Sequence, residues 1–145
     1  MLNKTFIQNK MKMLSENVTI LEEILRDNNE DVKKDILKLP AVERYFQRAA
    51  DLMVDINAHI INEGDFGAVD DLQSTFKMLG DCGVLERDFA RKIAPIVGVR
   101  NMLVHRYEKF DKDLFLKNLK HNFSDFKKYL IQIDAYLGKD AASNT

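Results

Sequence analysis

The fold of this chain is set by the stretch from Pro40 to Ile61, which reads PAVERYFQRAADLMVDINAHII. Its apolar residues recur at alternating spacings of four and three positions. They are Val42, Phe46, Ala49, Met53, Ile56 and Ile60. This spacing places their side chains in one stripe along one face of an α-helix. The stretch therefore predicts a long helix with one buried face, and Pro40 suits the first turn of that helix.

Two other stretches repeat the pattern. The stripe nearer the amino terminus consists of Ile7, Met11, Leu14, Val18, Leu21 and Leu25. The stripe nearer the carboxyl terminus consists of Leu119, Phe123, Phe126, Leu130, Ile133 and Leu137. Helices with such stripes pack against one another in bundles. The sequence therefore predicts an all-α protein, an antiparallel bundle of four to five helices.

The composition agrees with a helical protein. The chain has 145 residues with six glycines and two prolines, so it has few of the residues that make turns. This length fits a single domain, 1–145, in which the polar tail, 138–145, is expected to fray. Hydrophobic residues make up 46% of the chain and charged residues 31%, which argues against a disordered chain and against a membrane span. Since no secretory signal or lipid anchor is recognised, a cytoplasmic protein is expected.

The formal net charge of −1 conceals an uneven distribution. Residues 1–86 contain 10 basic and 16 acidic side chains, a net charge of −6. Residues 87–128, the basic segment, contain 11 basic and 5 acidic side chains, a net charge of +6. A segment of this kind can attract a polyanion, and it can equally be a solvated face that pairs with the acidic part of the chain. Charge alone leaves both interpretations open.

The most unusual polar cluster is RNMLVHRY, residues 100–107, inside the basic segment. It combines the permanent cation of Arg100, the amide of Asn101, the imidazole of His105 and the phenol of Tyr107. A histidine can take a proton from a ribose hydroxyl or give one to a leaving oxygen, and a guanidinium can stabilise charge on a phosphoryl group. The cluster therefore indicates phosphodiester chemistry, although a structural ion pair would also explain Arg100 and His105.

On one straight helix, Arg100 and His105 would point in different directions. At about 100° per residue they lie roughly 140° apart and about 7.5 Å along the axis. Pro95, just before them, is expected to kink or restart the helix. A working site would therefore need one of three arrangements: an Arg100 side chain that reaches around the helix, a distorted helix, or a second copy of the chain. A two-fold homodimer would bring two arginines and two histidines into one cleft.

The spacing Arg100-x4-His105-x-Tyr107 resembles the R-x4-H-x-Y motif of HepT-like toxins, a branch of the HEPN (higher eukaryotes and prokaryotes nucleotide-binding) helical domains. The resemblance extends to VERY at 42–45, DINAHII at 55–61 and FKML at 76–79. It thus covers most of the chain. The fold that it implies is a HEPN-type bundle acting as a homodimer.

This resemblance also implies a function, that of a metal-independent endoribonuclease toxin in a toxin–antitoxin pair, with RNA as substrate and no cofactor. Arg100 and His105 would be the catalytic residues, and Asn101 would position the motif or the phosphate. Tyr107 would be the residue to which a minimal nucleotidyltransferase antitoxin adds AMP. The added phosphate and bulk would keep RNA out of the cleft. Messenger RNA and transfer RNA both remain open as targets.

Several features have simpler interpretations. Asp55 is expected to be a polar support near the motif, or only a solvated helix residue. Asp55 and His59 are one helical turn apart, but two ligands are too few for a metal site. Tyr107 could pack its ring into the bundle. The alternative function is a non-catalytic HEPN binding module that partners a nucleotidyltransferase, although such a module would have no chemical need for His105.

Overall fold

The computed structural model describes residues 2–105 and 109–143, with side chains described through Lys139. Within these residues the chain forms eight α-helices. They are α1 (Lys4–Ile24), α2 (Asn29–Lys34), α3 (Lys38–Glu63), α4 (Leu72–Asp81), α5 (Arg87–Ile93), α6 (Ile96–His105), α7 (Lys112–His121) and α8 (Ser124–Ser143). The prediction of an all-α fold is confirmed. The helices are more numerous than the four to five predicted, because two apolar patterns are interrupted and because the six-residue helix α2 forms between α1 and α3.

The first interruption lies at Pro95. Proline has no amide hydrogen to donate within a helix, and its ring clashes with the preceding turn. Accordingly α5 ends at Ile93 and α6 begins at Ile96, as the sequence predicts. The restart at Pro95 gives the motif a short helix of its own.

The second interruption divides the last apolar stripe between α7 and α8. The Asn122 side chain donates from Nδ2 to the Asn118 carbonyl oxygen at 3.1 Å. An asparagine that bonds to its own helix in this way competes with the continuing backbone ladder. The helix consequently ends at His121, and after two intervening residues α8 starts at Ser124. Helix α8 continues to Ser143, within the tail 138–145 for which the sequence predicts fraying.

Helices α1 and α3 are antiparallel. The Asn3 amide, just before α1, donates to His59 Nε2 near the end of α3 at 3.2 Å. At the other end, Lys38 at the start of α3 pairs with Asp27, just after α1. The stripes on the two helices face each other and are completely buried at Ile7, Leu14, Leu21, Val42, Met53, Ile56 and Ile60. Since burying one such side chain contributes about 1.5–3 kcal/mol, this pair forms the centre of the core.

A buried hydrogen-bond network joins α8, α3 and α4. The Tyr129 hydroxyl donates to Asn57 Oδ1 at 2.6 Å, and the Met53 carbonyl oxygen lies 3.1 Å from it. Asn57 Nδ2 donates to Thr75 Oγ1 at 3.1 Å, and the Thr75 hydroxyl donates to the Leu72 carbonyl oxygen at 2.6 Å. Burial raises the pKa of Tyr129 well above its ordinary value, so the phenol stays protonated. A fully satisfied network of this kind specifies how the helices are placed.

Helix α6 carries the motif and packs against α3 and α4. Val97 is buried and Arg100 is half-buried, whereas Met102, Val104 and His105 are exposed. One side of α6 is thus held by the bundle and another faces solvent. In the described part of the chain, no helix combines the length and the apolar character that crossing a bilayer requires.

Candidate functional site

The motif residues Arg100, Asn101 and His105 lie on one unbroken α-helix, Ile96–His105. The angular separation of roughly 140° that is expected between Arg100 and His105 therefore applies. The Arg100 side chain is only 25% exposed and lies toward α3, whereas His105 is exposed at the last position of α6. A single copy of α6 thus turns its arginine and its histidine to different sides.

Arg100 is held by a carboxylate on α3. Its Nε donates to Asp51 Oδ1 at 2.7 Å, and its Nη1 donates to Asn101 Oδ1 at 3.1 Å. The shorter distance is typical of a charge-assisted hydrogen bond. A guanidinium has five N–H groups, so these two contacts leave three donors that can bind an anion. The arrangement fixes the orientation of the guanidinium and keeps part of it available to a phosphate.

Asp51 is the site residue that sequence reasoning missed. It lies one helical turn before Asp55, on the same side of α3, and the sequence does not distinguish which of the two carboxylates faces α6. Asp55 is exposed and accepts a hydrogen bond from Lys10 Nζ at 3.2 Å. Its supporting role stays a prediction, while the direct partner of Arg100 on α3 is Asp51.

His59 has a structural environment between α1 and α3. Its Nε2 accepts the hydrogen bond from the Asn3 amide, and its ring lies 4.7 Å from the Phe6 ring. Asp55, through its ion pair, likewise joins α3 to α1. Among the side chains that the structure describes, no group of three or more histidines, cysteines, aspartates or glutamates is arranged to hold a metal ion.

Tyr107 lies outside the described residues, and its modification stays a prediction. The described chain resumes at Lys109, shortly before α7. Asp111 caps α7 by accepting a hydrogen bond from the Leu114 amide at 3.0 Å. In the sequence, Tyr107 stands between His105, the last described residue of α6, and Lys109, where the described chain resumes.

The basic segment is partly paired with the acidic part of the chain. Among the cations of this segment that the structure describes, four contact carboxylates from residues 1–86, at distances between 2.7 and 3.8 Å. The pairs are Arg87–Asp81, Arg100–Asp51, Lys127–Glu22 and Lys128–Glu86. The hydrogen bond from Lys127, together with its charge, holds the pKa of Glu22 below its ordinary value. Other cations, such as Lys112 and Lys117 on α7, are exposed. Pairing therefore accounts for only part of the basic segment.

Comparison with known sequences supports the predicted resemblance. Residues 14–133 match the family described as Ribonuclease HepT-like. The chain is 22% identical over 129 residues to the mRNA nuclease HepT of Shewanella oneidensis, covering 89% of this chain and 96% of that protein. It is 32% identical over 95 residues to the tRNA nuclease HepT of Aphanizomenon flos-aquae, covering 66% of this chain and 65% of that protein.

Comparison with solved structures supports the fold. The tri-AMPylated HEPN toxin of Shewanella oneidensis, solved in complex with the MNT antitoxin, superimposes with a TM-score of 0.82 at 22% identity. The superposition covers 89% of this chain and 96% of that toxin. At this identity the likeness establishes the HEPN helical fold. The match along residues 14–133 confirms the family, and the chain belongs to the Ribonuclease HepT-like family.

Proposed function

We propose that this protein is the endoribonuclease toxin of a toxin–antitoxin pair, and that Arg100 and His105 cleave RNA. The family and the two HepT nucleases similar to this chain support the activity. The observation that best supports the site is the fixed orientation of Arg100 between Asp51 and Asn101, with three N–H donors left for a phosphate. A preoriented cation of this kind stabilises charge that develops on a phosphoryl group.

The proposed reaction uses the 2′-hydroxyl of the RNA itself as nucleophile. His105 accepts the proton of this hydroxyl while the oxygen attacks the adjacent phosphorus. The bond from phosphorus to the 5′-oxygen breaks, and that oxygen receives a proton from an imidazolium. The products are a 2′,3′-cyclic phosphate and a 5′-hydroxyl, and Arg100 stabilises the charge on the phosphoryl oxygens during the transfer.

The geometry of α6 supports the proposed homodimer. One imidazole must accept a proton while another group donates one, and one copy of α6 directs Arg100 and His105 to different sides. A two-fold axis beside α6 would bring the partner's His105 into the same cleft. Val104 is 38% exposed and lies about 40° from Arg100 and about 100° from His105 around α6, so α6 offers apolar surface between these two side chains for this contact.

The proposed regulation is the addition of AMP to Tyr107 by a cognate nucleotidyltransferase antitoxin. The phenol oxygen would attack the α-phosphorus of ATP, releasing pyrophosphate and a proton. The AMPylated toxin of Shewanella oneidensis in complex with its MNT antitoxin supports this assignment. The phosphate would lie two residues beyond His105, where its negative charge would repel RNA. We place the pair in the cytoplasm, where RNA and ATP are both present.

Cleavage of a labelled RNA in the presence of EDTA tests the proposed function. The purified protein is expected to cleave without added metal and to leave 2′,3′-cyclic phosphate and 5′-hydroxyl ends. Cleavage that requires a divalent ion, or that leaves 3′-hydroxyl ends, would refute the reaction. Binding of RNA or of the nucleotidyltransferase without any cleavage would instead support the non-catalytic module.

Mass spectrometry tests the proposed regulation separately. After incubation with the nucleotidyltransferase and ATP, the peptide that contains Tyr107 is expected to gain the mass of AMP. If the toxin is neutralised while Tyr107 stays unmodified, inhibition occurs by binding alone.

A further inference from the structure

A cavity of about 610 Å³ lies beside α6, bounded by α6, α7, the end of α5, the first turn of α8 and Phe46 of α3. It is close to the motif, yet the reaction proposed above does not use it. Its volume falls within the range of roughly 300–1,000 Å³ that is typical of small-ligand sites. Most of its lining is apolar, with a few polar side chains, which is the usual composition of such sites.

Aromatic rings form much of its wall. Phe46, Phe110, Phe115 and Phe126 all line the cavity. The Phe115 ring lies 5.2 Å from the Phe46 ring in an edge-to-face arrangement and 5.3 Å from the Phe110 ring. Phe110 is only half-buried, so part of its ring remains accessible. Phe46, Phe115 and Phe126 are buried in the core, so among these four rings Phe110 is the one on which a flat heterocycle can stack.

Polar groups that can recognise the edge of a heterocycle are also present. Asn118 on α7 lines the cavity and is exposed, and Asn122, the residue that follows α7, also lines it. Asp125, only 9% exposed, lies in the same wall and is paired with Lys92 Nζ at 3.0 Å. Amides and carboxylates supply both acceptors and donors for the hydrogen-bonding edge of a base.

The cavity is continuous with the motif helix. Val99 and Met102 line it from α6, the helix that carries Arg100 and His105. Met102 precedes His105 by three positions, and side chains at that spacing are neighbours, with about 5–6 Å between their Cβ atoms. A nucleotide whose phosphate lies at His105 can therefore direct an adjacent base past Met102 into the cavity. Lys109, also in the lining, adds positive charge near the phosphate backbone.

We infer that this cavity binds one unpaired nucleobase of the RNA, next to the bond that is cleaved. The inference rests on the proposed function, because it assigns a specificity pocket to the same substrate. RNA is commonly recognised through unstacked bases that insert between aromatic side chains and hydrogen-bond along their edges. The enzyme would therefore require single-stranded RNA at the cleavage site and would prefer bases that fit the pocket.

Binding of RNA oligonucleotides that each lack one base tests the inference. The full chain with His105→Ala is used, so that binding is measured without cleavage, by fluorescence anisotropy. Removal of the base at one position is expected to weaken binding at least about fivefold, as for the loss of a stacked base. In the background of Phe110→Leu, which removes a ring and keeps apolar bulk, this penalty is expected to disappear.

The matched control is Phe123→Leu. Phe123 is also a half-buried phenylalanine, but it does not line the cavity. This variant is expected to retain the penalty. A penalty of equal size in the Phe110→Leu protein, or no penalty at any position, would overturn the inference. So would a Phe110→Leu protein that binds RNA normally and loses affinity for the nucleotidyltransferase, because the cavity would then hold a partner side chain.

The two proposals fail separately. If the unmodified protein cleaves no RNA, the proposed function is refuted, whereas the binding comparison still decides whether the cavity holds a base. If cleavage is normal and the binding penalty does not depend on Phe110, only the pocket is refuted.

Discussion

Replacing Asp51 with asparagine removes the charge that holds Arg100 and keeps the shape of the side chain. The asparagine can still accept a hydrogen bond from Arg100 Nε, but a neutral bond contributes about 0.5–1.5 kcal/mol where a bond to a charged group contributes about 1.5–3 kcal/mol. The loss in orienting energy is therefore about 1 kcal/mol. Because Asp51 is 41% exposed and Arg100 25% exposed, solvent screening leaves about 0.5 kcal/mol or less of this in the free energy of unfolding.

Catalysis is expected to respond more strongly than stability. A guanidinium that is no longer fixed stabilises the transition state less well, and about 1.4 kcal/mol corresponds to a tenfold change in rate. We expect Asp51→Asn to lower kcat about fivefold, the change in rate that corresponds to about 1 kcal/mol. KM for RNA is expected to stay the same or to fall, because the substitution also removes a negative charge from a site that binds phosphate. A residue with a purely structural role would not produce this combination.

The assay is single-turnover and steady-state cleavage of a fluorescent RNA, with chemical denaturation to measure stability. Asp55→Asn is the matched control, one helical turn away on α3 and paired with Lys10. The reasoning would be refuted if Asp51→Asn kept kcat within twofold of the unmodified protein. An equal loss in Asp55→Asn would show that the charge of α3, and not the contact with Arg100, is responsible.

Three further predictions concern the scaffold. Tyr129→Phe removes the hydroxyl at the centre of the buried network and is expected to lower the free energy of unfolding by about 1–3 kcal/mol in chemical denaturation. The control Tyr45→Phe, at a half-buried tyrosine, should lower the free energy of unfolding much less. Asp71 caps α4, and hydrogen bonds from the serine three residues later hold its pKa below the ordinary 3.8. The charged Asp71 cap therefore stabilises the folded protein above about pH 4, and this stabilisation is lost as the pH falls through the lowered pKa of Asp71 in the folded protein. Asp71→Asn keeps a capping side chain without a titratable group, so the free energy of unfolding of this variant should depend less on pH in the acid range. Gly80→Ala would place a Cβ 2.7 Å from a methyl carbon on α5 and should lower the free energy of unfolding by about 1–3 kcal/mol. In the control Gly138→Ala the new Cβ meets nothing within 4 Å, so thermal melting should show unchanged or higher stability.

The core was predictable because helical periodicity is a local property of the sequence. The alternation of apolar residues around Val42 and Met53 requires no knowledge of the neighbouring helices, and both side chains are completely buried. The restart at Pro95 is equally local, since proline cannot donate a helical hydrogen bond. The break at Asn122 was missed because the apolar stripe continues through it, and only the polar side chain at that position terminates α7.

The site was predictable only as far as the motif extends. Arg100 and His105 stand out by residue type and spacing, but Asp51 has no motif and becomes significant only through the way α6 lies against α3. The cavity likewise depends on tertiary packing, because its aromatic wall combines Phe46 from α3 with Phe115 from α7. Periodicity identifies which faces are buried, and it does not specify which polar residues meet across two helices.

The rate of RNA cleavage by His105→Ala tests the central claim most directly. General acid–base catalysis contributes about 10²–10⁴-fold, so this variant should cleave at least about a hundredfold more slowly than the unmodified protein. Its far-ultraviolet circular dichroism should be unchanged, because His105 is exposed at a helix end. His121→Ala, an exposed histidine at the end of α7, serves as the control and should cleave normally. A His105→Ala protein that cleaves RNA at the normal rate would contradict the account.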